Sequence, residues 1–418
     1  MAVPILPIVN TILRHTMIMA TRMTISSTLV SGPIEVVWLS DESVEAIRYN
    51  GEPLPKAVSD RLGSIQLSKG RIVLPSELSS IIVDLLDAVA LLPTNERRKK
   101  IFLADRIFEH LVVRVLGPNP KLEGMIWRSI LGIVWQWEDQ HEEVHKGTPY
   151  YFMGATYLGS GDVPSAYSCF FSALEEDKRN FPHIPKNLKD APAYLTTSLV
   201  DNPGNALYND VVVPLRATLQ SFIDGYNTRT GGNLKIQDLD RKFLQADSFE
   251  DIKRFFVANF HEVYHLGALN STRMIKNDYS RLKVIDSLFN FGLIVDQMLE
   301  SRFLKGAPKK DMANAVYRFA LNLGWTAAGS SKNAGEFISK IRPKPNEGSP
   351  DEVLPAFLEG TCTYDGGPVD ARMRTIIGAY HLRNYGGHHL DGSDILVNRY
   401  ADVLEMAMDS FFAAVEAL

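Results

Sequence analysis

Apolar residues recur every three or four positions along most of the chain, and this spacing predicts helices. The stretch "LPSELSSIIVDLLDAVALLP" (74–93) carries it cleanly, with Pro75 suited to a first turn and Pro93 beyond the end. The same period predicts helices over 95–116, 121–145, 206–227, 248–269, 276–305 and 311–324. Alternation with period two is rare. "IEVVWL" (34–39) and the runs flanking "SKG" in "SIQLSKGRIVL" predict a small β-hairpin near the N-terminus. "NTRTGGN" (227–233) and "RPKPNEGSPDE" (342–352) collect turn residues and predict loops. The fold class expected is therefore all-α.

Two segments carry a finer pattern. In "YYFMGATYLGSGDVPSAYSCFFSALEED", Tyr150, Met153, Gly154, Tyr157, Ala166, Phe170 and Ala173 resemble the signature of a tetratricopeptide repeat. That resemblance implies two antiparallel helices, with Gly154 and Ala166 permitting close approach and Tyr157 and Phe170 filling the groove. Lys178 stands where the repeat usually closes with proline, and only one clear copy is found. A helical-repeat-like region with drifted neighbours is expected, because such units bury their faces only against one another.

The second segment is "VDARMRTIIGAYHLRNYGGHHL". Met373, Ile376, Ile377 and Tyr380 share one helical stripe, and extending it by three and four residues reaches Arg383 and Asn384. Gly386 and Gly387 are expected to stop the helix in left-handed conformations. His388 and His389 follow, then a final helix with Ser393 as its expected cap and Leu396, Tyr400, Val403, Leu404, Ala407 and Phe411 on its apolar face. An arginine closing one helix and a histidine leading to the next would meet at a corner of a bundle.

This corner resembles the HEPN ribonuclease family, whose motif is an arginine, a polar residue and a histidine, with four to six residues between the arginine and the histidine. The resemblance spans about residues 275–418 and includes "RLKVIDSLFNFGLIVDQMLESRFL", similar to the family's leading helix with an acidic residue on it. The bare spacing is unspecific, since Arg254 with His261 and Arg374 with His381 also fit it. Asn384, the glycine pair and the two flanking helices single out Arg383. The resemblance implies a metal-independent endoribonuclease working at a dimeric site, with Arg383, Asn384 and His388 as its catalytic residues. His389 also satisfies the spacing, and Asp296 is a candidate ion-pair partner for Arg383.

The residue types suit that chemistry. RNA supplies its own nucleophile, the 2′-hydroxyl, so cleavage needs a base, an acid and positive charge on the phosphorane. An imidazole titrates near neutrality, and a guanidinium stays charged while binding two oxygens. One His388 holds one proton role at a time, whereas two copies across a two-fold axis supply both. The family's frequent place in toxin–antitoxin and antiviral systems implies a regulator, here the helical-repeat half. The partners expected are RNA, a second copy of the chain and a regulatory protein.

Composition narrows the class without deciding it. The 418 residues are 45% hydrophobic and 22% charged, which reads as globular and too long for one ordinary core. The organisation expected is an N-terminal helical region over 1–145, a tetratricopeptide-like region over 146–272 and a HEPN domain over 273–418. Two cysteines, Cys169 and Cys362, fit a reducing cytoplasm. The N-terminal apolar stretch lacks a basic flank and is broken by Arg14 and His15, so no secretory leader is expected, and no run is long enough for a membrane span. The net charge is −5, yet nine basic residues lie between Ser301 and Pro345 against Asp311 and Glu336 alone. That run reads as a solvated helix face or as a phosphate-attracting surface. No cofactor and no metal are expected.

A competing motif gives the alternative. "FHEVYHLG" places His261, Glu262 and His265 in the spacing of a zinc metallopeptidase helix, where two imidazoles bind zinc and the glutamate is general base. His141, Glu142 and His145 repeat it in a charged setting. No convincing third ligand is found, since Glu300 lies in range but on a long helix that reads as structural, and no glycine–histidine extension follows. Satisfied or exposed helix histidines are the expected reading of both copies. A catalytically dead HEPN interaction protein is the remaining alternative.

Overall fold

The computed structural model describes the backbone of residues 23–25, 34–40, 43–49 and 52–53, together with residues 83, 86–87, 120–180, 188–271, 278–306, 311–325, 327–386 and 393–418. These residues are mostly helical with few strands. They divide into two compact units, the first ending at Val212 and the second beginning at Val213. Among them no helix is long and apolar enough to cross a membrane.

The first unit opens with an antiparallel sheet in sequential order, β1 (Met23–Ile25), β2 (Ile34–Ser40), β3 (Ser43–Tyr49) and β4 (Glu52–Pro53). The strand expected at "IEVVWL" is β2. It pairs with β3, a strand the sequence pattern did not reveal, through a register shifted at Val37/Trp38 and Trp38/Ser40. The runs around "SKG" lie outside the described residues, as does the helix expected over 95–116. Helix α1 (Pro120–Glu138) is followed by α2 (Gly147–Gly159), α3 (Val163–Asn180) and α4 (Pro192–Thr197). Neighbours in this series pack on one another, and a short turn at Ser160–Asp162 makes α2 and α3 an antiparallel hairpin. A Cβ on Gly154 would stand 2.6 Å from the Phe170 ring and 3.0 Å from the Ala166 carbonyl, so the missing side chain sets the helix spacing. Ala166 and Phe170 are fully buried there.

In the second unit, α5 (Val213–Thr230) and the short α6 (Ile236–Leu239) lead into α7 (Glu250–Ser271) and α8 (Asp278–Phe303). After α9 (Met312–Asn322) come α10 (Ala334–Ser339), α11 (Pro350–Glu359), α12 (Ala371–Gly386), α13 (Asp394–Asn398) and α14 (Tyr400–Glu416). Helix α8 is central: α7, α9, α12, α13 and α14 all pack against it. The apolar stripes expected for α12 and the final helix are buried as predicted. Phe411 of α14 stacks on Phe256 of α7 at 4.0 Å, and Phe291 of α8 meets Phe256 edge-on. The final helix is broken at Arg399, which leaves helical geometry to reach Glu359 and Asp402.

Between α9 and α12 the chain inserts α10, α11 and a three-stranded antiparallel sheet of β5 (Ile341–Arg342), β6 (Thr363–Tyr364) and β7 (Gly367–Pro368). Asp365 and Gly366, both with positive φ, turn the hairpin. Tyr364, Phe337 and Trp325 cluster beneath it. Helix α5 belongs to this unit because Arg229 at its end makes two 2.7 Å bonds to Asp409 of α14. The expected boundary at 272/273 falls within this unit, between α7 and α8.

Candidate functional site

Helices α8 and α12 cross at Gly292. A Cβ there would lie 2.9 Å from the Arg383 amide nitrogen and 3.0 Å from the Ala379 carbonyl oxygen, both backbone atoms that cannot turn aside. The crossing brings the end of α12 against α8 one turn beyond Gly292, at Asp296. The Nε of Arg383 donates to Oδ2 of Asp296 at 2.9 Å, and its NH1 reaches Oδ1 of Asn384 at 3.4 Å. The pair is asymmetric: the Arg383 side chain is 40% exposed while that of Asp296 is 0% exposed. The guanidinium is thus anchored from within and open to solvent outside.

Asp296 is incompletely satisfied. Its Oδ1 is buried and has no hydrogen-bond partner among the described residues. Burial raises its proton affinity, the Arg383 charge opposes this, and Glu300 and Asp311 add to it; the carboxyl is pushed up to about 6. Tyr380, one turn before Asn384 on α12, is raised by burial and lowered by its bond to the Asn384 side chain. Gln297 and Glu300, the next outward residues of α8, line a cavity of about 920 Å³ together with Lys242, Phe249, Arg302 and Lys305.

The described structure joins Arg383, Asn384 and the suggested partner Asp296. His388 and His389 lie outside the described residues. One expectation is corrected: Gly386 is the last helical residue of α12, without positive φ, and its bare Cα makes room for the Phe289 ring. The close approach at Gly292, and the parts that the Tyr380 hydroxyl, Glu300 and Asp311 play beside Asp296, were not read from sequence. "NFGLI", a glycine inside a strongly apolar helix, was the available signal for the first of these.

The rival motifs settle into packed surroundings. His381 is buried with Nδ1 donating to the Pro345 carbonyl at 2.9 Å, and Arg254 pairs with Glu250 at 2.9 Å. His261 and His265 do share α7. Burial drives the proton affinity of His261 down to about 3, with His265 adding to the effect, and burial also lowers that of His265. Glu262 pairs with Lys283 at 3.4 Å. Among the described residues no group of three or more His, Cys, Asp or Glu side chains converges as a metal site. In the second copy α1 ends at Glu138, short of the expected 145. His141 and His145 therefore sit in an irregular segment, His141 stacked on Trp137 and His145 buried against Asp177 at 2.9 Å.

Most of the basic run is engaged with its own neighbours. Lys344 pairs with Glu347 and Lys340 with Glu336, while Arg302, Arg318 and Arg342 donate to backbone carbonyls. Lys305 and Lys332 are exposed, and Lys309 and Lys310 fall outside the described residues. Comparison with protein-family models, with curated proteins and with solved structures finds no match to the chain.

Proposed function

We propose that the chain is a HEPN-type, metal-independent endoribonuclease whose reaction centre lies at the end of α12. The observation that carries this is the state of Arg383. A guanidinium fixed at Nε by a buried carboxylate, with its outer face open, is arranged to receive two oxygens of a phosphate. Asn384 braces the same side chain. His388 takes the proton role on the strength of its place in the sequence motif, as base towards the 2′-hydroxyl or as acid towards the leaving 5′-oxygen. Two copies of the chain supply both roles around one scissile bond and yield a 2′,3′-cyclic phosphate. The first unit serves as regulator, holding a cytoplasmic toxin or antiviral effector in check until a protein partner or RNA engages it.

The test is RNA cleavage by the purified protein in excess EDTA. The expected result is cleavage that survives chelation and falls by roughly 10²–10³-fold in Arg383→Ala and in His388→Ala. Activity abolished by EDTA, or unchanged in both variants, overturns the reading.

A further inference from the structure

We propose that Asp296 is a proton-operated holder of Arg383: ionised, it fixes the guanidinium at the reaction centre, and a proton on its unpartnered Oδ1 releases it. The proposal concerns regulation of the site and rests, for its effect on RNA, on the ribonuclease reading. Its structural half stands on geometry alone.

The carboxyl of Asp296 is fully buried, with one oxygen in an ion pair and the other meeting no donor among the described residues. A buried carboxylate oxygen without a donor is costly, and a single proton removes the charge that makes it so. The groups that face Asp296 divide unequally. Arg383 of α12 favours its ionised form. Glu300 on the same helix and Asp311 at the start of α9 oppose it, and the Tyr380 hydroxyl of α12 is the further titratable neighbour. Burial and two carboxylates against one half-exposed guanidinium place proton uptake in the mildly acidic range, about 6.

Release then follows from how little else holds the arginine. Among the described residues its other tie is the 3.4 Å contact to Asn384. With Asp296 neutral, the charge-assisted bond at Nε becomes an ordinary one, and the flexible side chain is free to leave. The linkage has a definite sign. Folding raises the proton affinity of this carboxyl, so the stability that accompanies its proton is present below the ordinary aspartate range. It is lost as pH rises through about 6. Above that pH the protein holds an armed arginine at some cost in stability.

Infrared difference spectra of the full-length protein between mildly acidic and neutral pH test the first half. A protonated-carboxyl carbonyl band is expected to appear on acidification of the wild type and to be missing in Asp296→Asn. If Asp296→Asn does not fold, Arg383→Ala takes its place, and the band is expected at higher pH because the opposing cation is gone. A wild-type spectrum without a band assignable to Asp296 overturns the proposal.

Fluorescence anisotropy with an uncleavable 2′-deoxy-substituted RNA tests the second half. The wild type is expected to lose roughly tenfold in affinity on acidification, with Asp296→Asn weak and insensitive to pH over the same range. An unchanged pH profile in Asp296→Asn overturns the release step. A carbonyl band that titrates while no RNA binds at any pH leaves the holder standing and removes the ribonuclease reading.

Discussion

Two helix junctions in this molecule are closed by a glycine, and they treat buried charge in opposite ways. At the α2–α3 junction Gly154 admits the Phe170 ring, and nearby Lys146 lies buried with Nζ 2.7 Å from Glu138 and 3.8 Å from Glu176. His145 faces Asp177 at 2.9 Å, and Arg179 returns to Glu176 at 2.7 Å. Glu138, Glu176 and Asp177 there each have a nitrogen donor. At the α8–α12 junction Gly292 admits backbone instead of a ring, and Asp296 keeps one oxygen without a partner among the described residues. A closed set of partners makes a scaffold, whereas an open valence beside a half-exposed arginine leaves something for a proton or ligand to change.

The largest effect that would break this contrast is at Lys146. Replacing it in Lys146→Met leaves the mostly enclosed Glu138 carboxylate without its cation, held by the Val144 amide, and a cost of about 2–4 kcal/mol is expected. Urea unfolding followed by tryptophan fluorescence measures it. A loss below about 1 kcal/mol would mean that the α2–α3 charges adjust as freely as Asp296 does.

How much of this was legible in the sequence follows the range of the forces involved. The stripe Met373, Ile376, Ile377 and Tyr380 is local and periodic, so α12 could be read directly and its end at Arg383 inferred. Strand β2 was visible because "IEVVWL" is apolar and β-branched. Its partner "SVEAIRY" alternates weakly, and the bulges near Trp38 shift its register. Helix α1 was read too far because "HEEVHK" suits a helix locally, while His145 and Lys146 are drawn out of one by Asp177 and Glu176 about thirty residues on. That α5 joins the second unit depends on Arg229 meeting Asp409, 180 residues later. The Arg383–Asp296 pair could be suggested from a motif, but Gly292 as the contact that sets its distance required the helix crossing itself.

The two glycines offer a sharper and smaller test. Gly154→Ala and Gly292→Ala are each expected to cost about 1–3 kcal/mol by forcing helices apart, partly offset by alanine's better helix propensity. They differ in what relieves them. Phe170→Leu is expected to recover part of the loss in Gly154→Ala, because the obstruction is the ring. Arg383→Ala is expected to recover none of the loss in Gly292→Ala, because the obstruction is the Arg383 amide and the Ala379 carbonyl. Chemical denaturation of the four single and two double variants gives both coupling energies. Equal couplings would show that both crossings are limited by side chains.

The smallest expected effect concerns the other charged motif of the second unit, on α7. His261 and His265 face one way on that helix, yet their setting is closed in the manner of the α2–α3 junction. Burial holds His261 neutral, Glu262 is taken by Lys283, and among the described residues no third ligand converges. The stability that goes with neutral His261 is present above the ordinary histidine range and is lost as pH falls towards about 3. The desolvation that opposes a proton also opposes a dication supported by two imidazoles alone. Adding zinc is therefore expected to raise the thermal midpoint by less than about 1 °C, since a weak ligand near its dissociation constant stabilises little. A rise of several degrees that disappears in His265→Ala would show that a further ligand completes the site, and α7 would then rank beside Asp296 as an open valence of the bundle.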